Sequence, residues 1–254
     1  MDKLSALLRI RLASRASYRI DLLIGFLADV AMSGLGLILI FALFNHIDSI
    51  AGWDRGACLW LWGMAECSSG LAQCLFTGVM VANRSYLING GLDRLLLRPI
   101  HPLFQLLTER LSGVGLSNAL IGVTMMILGH LEHPVTLLGV LWLPLLILGG
   151  MALMGGLLIS MSALGFIAHH TGTFSGLLLQ AVSFSRYPLT IFPTPLRWAL
   201  LPVGLLAYLP VGALLGHDSL AGWHLAQPLI GFGVLGISIL WWNRLSRGYT
   251  STGH

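Results

Sequence analysis

The chain has 254 residues, 56% of them hydrophobic and only 9% charged, with a mean hydropathy of +0.84 and a net charge of +4. A water-soluble domain carries roughly a quarter of its residues as charge, so a soluble globular protein is excluded and much of the surface must face lipid. Backbone groups in lipid must bond among themselves, leaving helices or a closed barrel. The apolar runs are long and rich in Leu and Gly, not alternating segments of about ten residues, which selects helices.

The first element is the stretch LSALLRIRLASRASYR, in which Arg11, Arg15 and Arg19 repeat every four residues and would form one stripe of a helix. Such a helix lies in the cytoplasmic interface with its arginines reaching lipid head groups. A span needs about 20 apolar residues. The first candidate covers 20–44, too long for the apolar region of a signal peptide and without a small-residue cleavage site. After the polar link NHIDSIAGWDRGA comes a second span, 58–80, and then the longest polar stretch of the chain, 81–102. Further spans follow at 103–129, 136–160, 172–190 and 226–242. The segment 193–216 has the length to cross, but Pro202 and Pro210 cut it into half-length pieces, predicting a re-entrant hairpin before the last span.

Charge supports that division. With six spans, 11 of the 14 Lys and Arg residues fall on one side, all except Arg55, Arg186 and Arg197. Positive residues mark the cytoplasmic side, so both termini are expected there. The positive net charge is therefore a matter of topology and does not point to nucleic acid. The fold class expected is an all-α membrane protein of six transmembrane helices, forming one domain over 1–254 with no internal repeat.

Several chemistries are absent from the pattern. The one lysine, Lys3, is followed by Leu4, so the chain has no phosphate-binding loop ending in Lys and Ser or Thr. Gly231-Phe-Gly233-Val-Leu-Gly236 matches a dinucleotide fingerprint, but no strand precedes it and close helix packing is the better account. Gly172/Gly176 and Gly212/Gly216 are weaker packing signals of GxxxG spacing. Cys58, Cys67 and Cys74 lie in one apolar run without a CxxC pair, as buried small hydrophobes do. His130, Glu132 and His133, and the pair His169 and His170, lack the HExxH spacing of a zinc site. No metal site and no nucleophile–base pairing is legible, and the chain is not read as an enzyme.

The intramembrane acids stand out. Asp21, Gly25, Asp29 and Ser33 repeat every four residues on the first span. On the second, Glu66, Ser69, Gln73 and Thr77 follow i, i+3, i+7, i+11, again one stripe. A carboxylate is costly in lipid, so these faces turn toward protein or a wet cavity. They either line a translocation path or fix helix packing, and the residues alone leave both open.

The polar stretch contains Ile88-Asn89-Gly90-Gly91-Leu92-Asp93-Arg94-Leu95-Leu96-Leu97-Arg98-Pro99. Gly90 and Gly91 break the preceding helix, and Pro99 and Pro102 end the next one. Between them Leu92, Leu95 and Leu96 form an apolar patch beside Asp93, Arg94 and Arg98. Together with Tyr18-Arg19, Gly52-Trp53-Asp54, Phe184-Ser185-Arg186-Tyr187-Pro188 and Arg247-Gly248-Tyr249, this stretch resembles the membrane subunit, or permease, of ABC-2-type transporters, in a bacterial branch of that superfamily. The resemblance implies six spans in the bacterial inner (plasma) membrane, an N-terminal amphipathic helix and a re-entrant element before the last span. It also implies a cytoplasmic coupling helix between spans two and three, here Leu92, Asp93, Arg94, Leu95, Leu96 and Arg98, docking on a separate ABC ATPase subunit. ATP and Mg would sit on that partner and no cofactor on this chain. A second permease chain would complete the complex, as a heterodimer or a homodimer, with lipids around it. Asp29, Glu66, Ser69, Gln73, Thr77 and Arg186 are the candidates for the path. An enzyme or assembly factor acting on lipid-linked substrates, and a proton-coupled secondary transporter using Asp29 or Glu66, are the alternative readings.

Overall fold

The computed structural model describes residues 19–80, 92–109, 113–167, 172–216 and 222–248. The expected N-terminal interfacial helix, the Gly90–Gly91 break and His169–His170 lie outside these residues. Helix α1 is Arg19–Phe44, α2 Arg55–Met80, α3 Leu92–Leu96, α4 Pro102–Glu109, α5 Gly113–Glu132 and α6 Leu137–Leu164. Helix α7, Gly172–Ser183, leads through two 3-10 turns, Phe184–Arg186 and Leu189–Ile191, to the short helices α8 (Thr194–Ala199), α9 (Leu201–Gly204) and α10 (Tyr208–Leu214). Helix α11, Trp223–Ser246, is the last described helix. No strand occurs among the described residues.

Four helices are long and apolar enough to cross a membrane: Leu23–Phe44 of α1, then α5, α6 and α11. Helix α2 has the length but carries Glu66, two serines and a glutamine, and it is the centre of the bundle rather than its lipid face. Every residue from Gly56 to Gly70 is buried. Asp54 starts it as an N-cap, its Oδ1 accepting from the Ala57 N–H at 2.7 Å. The turn before it places Gly52 at φ +85°, the left-handed region glycine tolerates.

What brings α5 against α2 is a ladder of glycines. Gly56, Gly63 and Gly70 on α2 meet Gly129, Gly122 and Gly115 on the antiparallel α5. Both sets repeat every seven residues, so each helix presents its glycines as one stripe. A Cβ at Gly63 would sit 2.6 Å from the Gly122 carbonyl oxygen, and one at Gly70 would sit 2.6 Å from that of Gly115. Small residues let backbones approach this closely where dispersion, not water exclusion, must hold helices together.

Helices α6 and α11 run parallel, Gly149 against Pro228 and Gly231, Gly156 against Leu235, and Ser162 against Trp242. Within the dinucleotide-like fingerprint, Gly231 abuts the Gly149 backbone, whereas Gly233 and Gly236 have nothing within 4 Å. Gly176 and Gly216 likewise face open space, so neither GxxxG pair packs along its length.

Because α6 and α11 are parallel, the segment between them carries the chain back once through the bundle. It does so in pieces. Helix α7 has 12 residues, about 18 Å at 1.5 Å per residue against a hydrocarbon core of about 30 Å, and so falls short of the span expected over 172–190. Its continuation, the 3-10 turn Phe184–Arg186, ends before Pro188: the residue before a proline is pushed to extended backbone, and Tyr187 has φ −118°, ψ 147°. The stretch 193–216 is broken into α8, α9 and α10, each too short to cross. It packs along the N-terminal half of α2, with Tyr208 against Trp53 at 5.4 Å between ring centroids. Over the span expected at 103–129 the structure describes α4 and, from Gly113, α5, with residues 110–112 outside the description.

The two ends of the bundle differ in charge. One, formed by the start of α2 and the end of α5, carries Asp54, Arg55, Glu132 and His133, with Asp48 nearby. The other carries α3, the start of α4 and the end of α11, with Arg98, Arg244 and Arg247. We refer to them as the acidic and arginine ends.

Candidate functional site: a buried ion pair and a polar cavity

Glu66 lies halfway along α2 and is 4% exposed. Its Oε1 accepts from the Trp62 indole Nε1–H at 3.1 Å and from the Arg186 Nη2 at 2.7 Å. The Arg186 guanidinium also stacks over the Trp62 ring, 5.6 Å from its centroid, and Tyr187 flanks that ring at 6.1 Å. The 3-10 turn after α7 positions Arg186. Ser185, buried, donates to the Val182 carbonyl at 2.7 Å and Ser183 to that of Gln180 at 2.6 Å, tightening the chain just before the Tyr187–Pro188 break.

A cavity of about 200 Å³ opens beside the pair, between α2, α6 and α7. Ser69, Gln73, Ser183, Ser185 and Arg186 supply the polar part of its lining, and Met80, Met154, Leu179 and Val182 the apolar part. Four of the residues read from the sequence therefore meet: Glu66 and Arg186 as a pair, Ser69 and Gln73 along the cavity. Thr77 does not line it; its hydroxyl donates to the Gln73 carbonyl of its own helix. Asp29 lies on α1, with its side chain outside what the structure describes.

The loop at the arginine end is divided differently from the sequence expectation. Leu92 and Leu95 are buried, in one cluster with Leu103, Leu106 and Trp242, while Leu96 turns outward. Leu97 is 85% exposed and Arg98 and Pro99 are exposed beside it. The apolar patch thus splits, two leucines rooting α3 and one standing at its exposed tip. Asp93 is half-buried, and the Arg94 side chain lies outside the description. Gln105 was not singled out by sequence: wholly buried on α4, it donates from Nε2 to the carbonyls of Leu95 at 2.8 Å and Ile100 at 2.7 Å. It ties both sides of the tip to α4.

At the acidic end the Arg55 Nε–H donates to Glu132 Oε2 at 2.9 Å, and that hydrogen bond, then the charge of Glu132, holds the guanidinium above its ordinary pKa. His133 Nδ1 lies 3.3 Å from Asp54 Oδ2, and His130 meets the Trp60 ring edge-on. The histidine group thus resolves into separate contacts. Cys58 and Cys67 are buried free thiols and Cys74 is partly buried.

These features define a helical, multi-pass membrane protein whose charged groups are paired inside the bundle or gathered at its ends. Residues 30–253 match the family model for ABC-2 family transporter proteins. The match covers most of the chain, which therefore belongs to that family of transporter permeases. No curated protein and no solved structure matches the chain.

Proposed function

We propose that the chain is the membrane-spanning, non-catalytic subunit of an ATP-driven exporter in a bacterial inner membrane, working with separate ATPase subunits that bind ATP and Mg. Six crossings would be α1, α2, α4 with α5, α6, the α7–α10 segment and α11, with α8–α10 as the re-entrant element. Family membership supports the permease assignment. The charge difference between the bundle ends supports cytoplasmic termini, since the end of α11 lies with α3 at the arginine end.

One observation carries the coupling role: α3 is rooted by Leu92 and Leu95 while Leu96, Leu97 and Arg98 stand exposed at its tip. A short helix held by core leucines and offering a charged, apolar tip can transmit the push of a soluble motor. The second permease chain would be a different protein, giving a heterodimer over two ATPases, and the path would run by Glu66, Ser69, Gln73 and Arg186. To test coupling, the complex is purified through a tag on this chain carrying Arg98→Glu, or Asp93→Ala with Arg94→Ala. ATPase copurification or hydrolysis should fall with the chain still folded. Unchanged copurification and hydrolysis in both variants would remove the coupling assignment.

A further inference from the structure

The cavity beside Glu66 and Arg186 has a composition that specifies what it can hold. Its formal charge is zero, because the one cation is matched by the carboxylate 2.7 Å away. An added anion would have to draw Arg186 from Glu66 and strand a carboxylate that is 4% exposed. An added cation would face the guanidinium. Neither is favoured over a neutral group.

The hydrogen-bonding pattern narrows this further. Ser69, Ser183 and Ser185 each donate their hydroxyl to a carbonyl of their own chain turn, at 2.6, 2.6 and 2.7 Å. Their oxygens therefore reach the cavity as acceptors. Arg186 has five N–H donors and engages Glu66 through Nη2, which leaves donors for a ligand, and Gln73 brings both a donor and an acceptor. A ligand here must donate and accept at several points, as adjacent hydroxyl groups do. A phosphate or carboxylate offers only acceptors and a quaternary ammonium neither. The rest of the lining, Met80, Met154, Leu179 and Val182, is apolar and, through its methionines, adaptable.

We infer that this cavity binds the uncharged, hydroxyl-rich head group of an amphiphile, with Arg186 and Gln73 as donors, the three serine oxygens as acceptors and the apolar lining residues against the start of the apolar chain. The inference rests on the reading of this cavity as part of the transport path, and names its substrate class.

The test uses the purified full chain in a polyoxyethylene detergent and three probes with one alkyl chain: dodecyl β-glucoside, dodecyl phosphate and dodecyltrimethylammonium. Native mass spectrometry measures how much of each stays bound. The glucoside should bind saturably and in preference to both charged probes. Gln73→Leu and Ser183→Ala, at partly exposed positions that spare the ion pair, should each weaken it roughly tenfold, the scale of a lost hydrogen bond to a buried partner. Leu75→Ala, at an exposed position of α2, should leave it unchanged. Preference for a charged probe, equal retention of all three, no saturable binding, or indifference to Gln73→Leu and Ser183→Ala would each overturn the inference. Copurification of an ATPase is scored separately. Glucoside selectivity without an ATPase partner would remove the exporter reading and leave the head-group site, and the opposite result would do the reverse.

Discussion

Gly63→Ala should destabilise the protein, although alanine is the better helix former. The added Cβ would lie 2.6 Å from the Gly122 carbonyl oxygen, 2.8 Å from Met126 Cγ and 2.9 Å from the Met126 nitrogen, where ordinary contact begins at 3.4 Å. Two of the three obstacles are backbone, so no rotamer change relieves them and α2 and α5 must separate by roughly 0.8 Å. Overpacking of this kind costs about 1–3 kcal/mol. Gly233→Ala on α11 supplies the contrast, since nothing lies within 4 Å of its Cβ position. There the exchange should gain about 0.5–1 kcal/mol from helix propensity alone. Equilibrium unfolding by sodium dodecyl sulfate in mixed micelles, followed by circular dichroism, gives both values on one scale. If the two alanines shift the midpoint in the same direction and by the same amount, the glycine ladder does not set the α2–α5 distance.

Arg186→Met should cost about 3 kcal/mol, the lower end for breaking one side of a buried pair, because Arg186 is 37% exposed and water in the cavity can reach the stranded Glu66. Adding Glu66→Gln should recover most of that loss, and effects that simply add within about 0.5 kcal/mol would exclude a coupled pair. Gln105→Leu strands the Leu95 and Ile100 carbonyls, and limited proteolysis across 96–101 should quicken about tenfold; an unchanged rate would mean the tip is held by its leucines alone. At the acidic end, Glu132 raises the Arg55 pKa, so the pair's contribution is complete below the guanidinium's ordinary value and is lost only as pH climbs through the raised one. The stability difference between wild type and Arg55→Gln should therefore be flat from about pH 7 to about pH 9 and shrink with added salt, since both side chains are about a third exposed. A slope over that range would contradict the assignment.

The legible parts of this chain were those in which one physical constraint dominates. Long apolar runs announced α1, α5, α6 and α11, because lipid admits few other structures. Pro202 and Pro210 announced a broken segment, and Pro188 ended the 3-10 turn after α7 through the backbone of its neighbour. The stripe of Glu66, Ser69 and Gln73 announced a protected face. Its partner was visible only in part: Arg186 could be named as a candidate, but not that its guanidinium would meet Glu66 across more than a hundred residues, since a long-range pair leaves no local period. Thr77 shares the stripe yet bonds to its own helix, an option always open to a threonine. The glycine ladder, Gly56, Gly63 and Gly70 against Gly115, Gly122 and Gly129, repeats every seven residues and so carries no GxxxG signature. Gln105 carried no signal, because one glutamine on a short amphipathic helix reads as surface.

The ladder and the ion pair divide the molecule into two mechanical parts. Along α2 and α5 three glycine contacts set backbone against backbone, so a shift that carries a side chain into the seam meets the facing main chain. The α7–α10 segment is the opposite: helices of 12, six, four and seven residues, joined by 3-10 turns and prolines, with many places where φ and ψ can change at low cost. Among the described residues, Glu66–Arg186 is the one ion pair that joins the rigid part to the jointed part, and the cavity lies at that seam. A ligand that touches α2 and α7 together there, and binds one position of α7 more tightly than another, links its occupancy to that position without breaking the ion pair. Flexing is therefore least costly at the Tyr187–Pro188 break and most costly in the glycine-packed core.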